Sequence, residues 1–179
     1  MAFDPPRTAR GALAGAVAAG VWALQQPLDQ RVFGVRYDDT ELLGNLVTRG
    51  RAWPVAGLAL HLANGALFGA IYANVARRVP LPAWARGPAA ALGEHLATWP
   101  LVAVSDRLHP AHADLPALSS SSAAFAQATW RHVLFGAVLG ELERRLNPPD
   151  DEPPSSYEHV ASTNGHGNIE HAITGVTDG

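Results

Sequence analysis

The chain of 179 residues has no cysteine, no lysine and a single methionine, and only 16 % of its residues are charged. Without cysteine there are no disulfides, no thiolate metal sites and no cysteine nucleophiles, and the redox compartment leaves no mark. Charge at 16 % against roughly 25 % in soluble globular domains favours a membrane class. All 13 basic residues are Arg. With so much Ala, this reads as the coding bias of a GC-rich bacterial genome rather than as chemistry. Clustered Lys and Arg are missing too, which argues against a nucleic-acid partner. No Ser/His/Asp constellation, phosphate-binding glycine loop or nucleotide fingerprint is present.

The net charge of −3 hides a split. Residues 1–146 carry 13 Arg against 10 acids, whereas residues 147–179 carry six acids and no Arg. The first part holds long runs without charge. Trp53 to Ala76 is 24 uncharged residues closed by Arg77-Arg78, enough at ~1.5 Å per residue to cross a ~30 Å hydrocarbon core. Three other stretches resemble it: Gly11 to Leu28, Gly87 to Ser105 with Glu94 inside, and Leu115 to Gly140 with Arg131 inside. The expected fold is an all-α integral membrane protein. Its transmembrane domain would be residues 1–146, with spans at about 10–29, 53–76, 87–105 and 120–142. Pro88 suits the first turn of the third helix, Ser119–Ser122 offer N-caps for the fourth, and Asn147-Pro148-Pro149 ends it.

The first run also has the layout of a signal peptide, with Arg7 and Arg10 before a short apolar stretch. Internal similarity argues that it is retained. Trp22-x6-Asp29 recurs as Trp99-x6-Asp106 at an offset of 77, and Phe68-Gly-Ala-Ile followed by Arg77-Arg78 recurs as Phe135-Gly-Ala-Val followed by Arg144-Arg145 at an offset of 67. These are two similar helical hairpins in the same orientation, as in parallel repeats. Seven Arg then fall on one side and five on the other, which places both termini in the cytoplasm of a bacterial plasma (inner) membrane. Between the first two spans, Asp38 with Glu41 resembles a capping box ahead of Leu42, Leu43, Leu46 and Val47. A short amphipathic helix is expected there. The acidic tail, residues 147–179, has no apolar period and is expected to be disordered; His159, His166 and His171 are too scattered in it for a metal motif.

Ionisable groups inside a span are costly, roughly 2.5–3.5 kcal/mol each on insertion scales, and usually face the protein interior. Here the polar set is His61, Asn64 and Tyr72 in the second span, Glu94 and His95 in the third, Arg131 and His132 in the fourth. Glu94 and Arg131 are the natural ion pair. Yet helix counting puts them ~12 Å and ~20 Å from the cytoplasmic edge, so a network through His95 or His132 is the alternative. Gly65, Gly69, Gly136 and Gly140, like Gly11-x3-Gly15, form small-x3-small motifs that suit close helix packing. In the outer loop, His109, His112 and Asp114 bring imidazole and carboxylate together as divalent metal ligands would be, although Pro110 breaks any helical pairing.

The function these residues favour is non-enzymatic: a structural or accessory membrane protein, or one that handles a small polar solute or proton through the buried His/Glu/Arg cluster. Its partners would be the lipid bilayer, with a homo-oligomer or a larger membrane protein as further options, and no cofactor is expected. The alternative is a haem- or metal-binding membrane protein with a redox role, with His61, His95 or His132 as axial nitrogen ligands. His61 at ~24 Å and His132 at ~18 Å from the cytoplasmic edge match poorly in depth for that purpose.

Overall fold

The computed structural model describes residues 4–148. The expectations for the acidic tail and its three histidines therefore lie outside the described residues, as do residues 1–3. The described chain is all-helical: α1 (Pro5–Phe33), α2 (Asp39–Val47), α3 (Trp53–Val75), α4 (Ala83–Thr98), α5 (Val102–Leu108) and α6 (Ser122–Leu146). Single 3-10 turns follow α3 (Ala76–Arg78) and join α4 to α5 (Trp99–Leu101).

The helix ends follow local chemistry. Asp4 caps α1 by accepting from the Arg7 N–H at 3.0 Å, with Pro5 and Pro6 in the first turn. Gly34, at φ 69°, ends the helix in the left-handed conformation that glycine tolerates. Asp38 caps α2 through the N–H groups of Thr40 and Glu41, as its sequence pattern implied, and Ser121 from the serine run caps α6. Asn147 closes α6.

Two expectations need correcting. Pro88 is not in a first turn, because α4 begins at Ala83 and Pro88 lies inside it. The apolar boundary at Arg86 misled, since the helix continues past the charge and Arg86 donates back to the Leu81 carbonyl at 2.8 Å. The third run is also not one helix. Pro100 has no N–H for the Leu96 carbonyl, and the backbone tightens into a 3-10 turn there before α5 resumes. Of the described helices, one (Trp53–Arg78) is long and apolar enough to cross a membrane. The second half of α1 carries Gln25, Gln26, Asp29, Gln30 and Arg31, and α6 carries Gln127, Arg131 and four charges near its end, so neither is comparably apolar.

Small residues decide how the helices meet. α1 buries Gly11, Ala14, Gly15, Ala18, Ala19 and Trp22 at helical spacing. Gly11 and Gly15 lie directly against Gly69 and Gly65 of α3, and a Cβ on either would strike a backbone carbonyl oxygen of α3. α6 meets α4 in the same manner, with Gly136 on Gly87 and Gly140 beside it. α2 is tucked against α3, where Gly57 leaves room for the Thr40 carbonyl. α1 also packs along α6, whereas α3 and α4 make no extended contact. Phe68 and Phe135, which the offset of 67 relates, meet edge to face at 5.5 Å between ring centroids.

The interior is rich in Ala, Gly and polar side chains, with Trp22, Tyr72, Phe135 and Leu139 as its bulky apolar members. Arg131, Leu139, His95 and Gln127 are the largest groups fully shut from the surface. Many other large apolar residues point outward: Leu24 is 82 % exposed, Trp84 81 % and Leu67 62 %.

Gly15→Val should lower stability by about 1–3 kcal/mol or more, because the helix pair has to separate to admit the side chain. Gly93→Ala, with open space around its Cβ position, should instead raise stability by about 0.5–1 kcal/mol through helix propensity. Thermal unfolding of the two variants beside the parent checks both signs.

Candidate functional site

The polar residues form two separate groups. The first centres on Arg131, on α6. Its Nε donates to Asp29 Oδ2 and its Nη2 to Asp29 Oδ1, both at 2.6 Å, which is a bidentate pair. Nη1 donates to Asp39 Oδ2 at 2.8 Å, and Nη2 also reaches the Tyr37 carbonyl at 2.9 Å. The guanidinium is 0 % exposed and lies 5.0 Å over the Tyr37 ring.

Two carboxylates against one cation leave a negative excess, and neutral donors meet it. Trp22 Nε1 donates to Asp39 at 2.9 Å and the Tyr37 hydroxyl donates to the other Asp39 oxygen. Gln127 and Gln25 donate to Asp29 at 2.7 and 2.5 Å. Gln26 joins in by accepting from the Asp39 N–H at 3.0 Å and donating to Asp38 at 3.2 Å. Gln127 Oε1 is the one buried side-chain oxygen without a partner among the described residues. Burial, with Asp39 beside the hydroxyl, pushes the Tyr37 phenol well above its ordinary value of 10.0, and Arg131 opposes this more weakly.

Glu94 and Arg131 therefore do not pair. Glu94 Oε2 lies 3.1 Å from His132 Nε2, at the edge of a cleft of about 420 Å³ between α3 and α4. Its floor comes from Trp22 of α1 and His132 and Phe135 of α6, and Tyr37 and the start of α2 close one end. Proton positions in the cleft follow from the acceptors. His132 Nδ1 faces the Ala128 carbonyl at 2.7 Å, so that nitrogen carries a proton. Its Nε2 faces the Glu94 carboxylate, an ion pair when the imidazole is protonated.

The other two histidines of the cleft are fixed as well. His95 stacks on His132 at 4.5 Å between centroids, and its Nε2 lies 3.0 Å from the Thr129 hydroxyl. That hydroxyl donates to the Phe125 carbonyl, so His95 Nε2 must be the donor. His61 Nε2 donates to the Ala19 carbonyl at 3.1 Å. In neutral His61 and His95 the lone pair is then on Nδ1. Asn64 and Thr98 are exposed on opposite walls of the cleft. Tyr72, expected in the same set, is instead buried in the apolar core near Gly140.

The outer-loop residues close the loop. His109 Nε2 donates to the Leu42 carbonyl at 2.9 Å while its Nδ1 accepts from the Ala111 N–H at 3.0 Å, so both nitrogens are engaged. His112 Nδ1 donates to the His109 carbonyl, and Asp114 pairs with Arg49 at 2.5 Å. Asp106 accepts from the N–H groups of Leu118 and Ser119. Burial raises its carboxyl, but the bonds from Ser119 and Leu118 outweigh that and hold it below 3.8. Among the described residues no three His, Asp or Glu side chains converge as a metal-binding group. At the far end of the helices, Arg7 pairs with Glu143 at 3.0 Å and Arg77 donates to the Asn147 carbonyl at 3.0 Å. This brings the start of α1 together with the ends of α3 and α6.

Sequence reasoning missed Asp29, Asp39, Gln127 and Tyr37 as parts of the ion cluster. Asp29 had the look of a span boundary and Asp39 of a helix start. The Trp22-x6-Asp29 motif was the available signal, since both of its named residues belong to this cluster. Comparison with known proteins finds no matching family model, curated protein or solved structure.

Arg131→Met should lower stability by about 3–5 kcal/mol by leaving Asp29 uncompensated in the interior. Arg131→Lys should recover little of it, because an ammonium cannot reproduce the bidentate fork; denaturant titration of both variants checks this. For Tyr37, a raised folded-state value means that its contribution to stability is complete below pH ~10 and is lost as pH rises through the folded value. An alkaline absorbance titration should show a late phenol step that Tyr37→Phe removes, with the two proteins alike below pH ~10.

Proposed function

We propose that the chain is an integral membrane protein whose helical segments cross the bilayer as two related hairpins, with both ends of residues 1–146 on the cytoplasmic side. We propose further that it works without covalent chemistry, by receiving a small polar or proton-carrying ligand in the cleft between α3 and α4.

The observation that carries this reading is the inverted distribution of side chains. Leu, Val and Trp face outward while Arg131, Asp29, Gln127 and His95 fill the centre. In water such a surface invites aggregation. In lipid it is the solvated face, and buried polar groups and glycine contacts hold the helices together. The duplication is supported by the equivalent glycine crossings of α1 on α3 and α4 on α6. The clustering of Arg7, Arg10 and Arg77 around Asn147 supports a common side for the chain ends.

The natural absence of cysteine makes the test direct. Arg36→Cys should react with a membrane-impermeant maleimide on intact cells, and Pro80→Cys only once the cells are opened. Leu24→Cys and Leu67→Cys should stay unreactive in either case. Ready labelling of Leu67→Cys in sealed cells or opened membranes would overturn the membrane reading.

A second reading, haem binding, is supported by one feature. His61 and His95 line the same cleft with their Nε2–H groups held by Ala19 and Thr129, which is how outer partners orient ligating imidazoles. His132 has both nitrogens engaged and does not serve. Purified protein carrying haem should absorb in the Soret region, and a colourless, metal-free preparation removes this reading.

A further inference from the structure

We propose that the cleft takes an uncharged, lipid-soluble ring compound bearing hydroxyl or carbonyl oxygens, of the quinone or phenol class, seated against the Glu94–His132 pair and admitted sideways between α3 and α4. The proposal rests on the membrane reading and gives the ligand class for that site.

The opening comes from an asymmetry between two seams. α1 is sealed to α6 by Asp29 and Arg131. The offsets of 77 and 67 carry these positions to Asp106 and Asn64. Asp106 is engaged by the loop N–H groups of Leu118 and Ser119, and Asn64 is exposed on the cleft wall. The corresponding seam between α4 and α3 therefore has no equivalent bond across it and stands open. At about 420 Å³ the gap falls within the size range of small-molecule sites, roughly 300–1,000 Å³.

Charge selects the ligand. Arg131 is enclosed behind the floor and held by two carboxylates, so it is not offered to the cleft. The ionisable pair that is offered, Glu94 with His132, sets one imidazole against one carboxylate. A phosphate or carboxylate head would find no uncompensated cation, and an ammonium head would have to displace His132 from Glu94. An uncharged head meets neither obstacle. A ring hydroxyl has the Glu94 carboxylate to donate to, its side chain being 41 % exposed, and a ring carbonyl has the Asn64 amide to accept from.

Shape agrees with charge. Trp22 meets His61 and His132 edge to face, at 5.4 and 4.8 Å between centroids, while His95 lies flat on His132. These walls suit a flat head. Leu67 and Ile71 on the α3 rim are 62 % and 57 % exposed and line the opening, where an apolar tail would leave for the bilayer.

The probe is decyl-benzoquinone, added to the purified full chain in phosphatidylcholine nanodiscs, with tryptophan quenching as the readout. Saturable quenching is expected. Glu94→Gln should weaken binding about ten-fold or more, as loss of a charged hydrogen bond does, and the exposed Asn64→Leu, which has little reason to misfold, should weaken it several-fold. Decylbenzene, which keeps ring and tail without oxygens, should bind the parent at least ten-fold less tightly. Quenching that rises linearly with probe and ignores both substitutions would overturn the proposal, as would equal binding of decylbenzene. So would Asn64→Cys chains that cross-link across the cleft and exclude the probe, because the occupant would then be a second copy. A protein that passes the maleimide test and fails this one loses only the ligand assignment. Failure of the maleimide test removes the underlying membrane reading itself.

Discussion

A guanidinium with no access to solvent cannot stand alone, and Arg131 determines where four other segments go. An isolated ion of this size in a medium of low dielectric is penalised by several kcal/mol even after relaxation. Asp29 and Asp39 offset that penalty from two directions. Asp29 lies near the end of α1 and Asp39 opens α2, so the one cation fixes the α1–α6 seam and pins the intervening linker with Tyr37 across it. Once the linker is placed, α2 is placed too. Its glycine contact with α3 then closes one end of the cleft. The cleft is thus an indirect product of an ion cluster whose central pair, Arg131 with Asp29, lies behind its wall.

Glycine sets the other constraint. Where Gly15 meets Gly65, and Gly87 meets Gly136, the helix backbones touch, so these pairs are drawn together along lengths that large side chains would hold apart. Close approach along α1–α3 and α4–α6 leaves few inward positions for bulky apolar residues, and Trp22, Tyr72, Phe135 and Leu139 take them. The outward display of Leu and Trp is a consequence of that geometry as much as of any preference for lipid.

Helices were legible in the sequence because an uncharged run has few structural alternatives, and the caps at Asp38 and Ser121 were legible because short polar side chains have a definite task at helix starts. The ion pairing was not. Depth was counted from flanking Arg residues along ideal axes, which compared Glu94 with Arg131 and ignored side-chain reach. An Arg head lies several ångströms from its Cα, and on a helix the Cβ leans toward the N-terminus. In α6 that direction leads toward the end of α1 and the start of α2, where Asp29 and Asp39 lie. His132, shorter by comparison, stays level with Glu94 and takes it. The Glu94–His132 contact was therefore legible, but it does not extend to Arg131 as a network, and the carboxylate partners of Arg131 sat in segments read as a boundary and a cap. Gly11, Gly15, Gly65, Gly69, Gly136 and Gly140 were recognisable from their spacing, but which of them meet, and that Gly87 faces Gly136, follow only from how the helices cross.

On the proposed duplication, the two seams began alike and differ now at a few positions. Arg131 has Asn64 as its counterpart, and Asp29 has Asp106, which caps a loop instead of binding across helices. Loss of one cation is enough to explain why both changes persist together. With Asn in place of Arg there is no charge for Asp106 to meet, and a carboxylate facing the interior would stand unpaired. Bonding to the N–H groups of Leu118 and Ser119 resolves that at the edge of the fold. The same step leaves the α3–α4 seam without a clamp and Glu94, with the edge of His132, accessible from it. One seam holds the helices together through the ion cluster while the other stands open around the cleft.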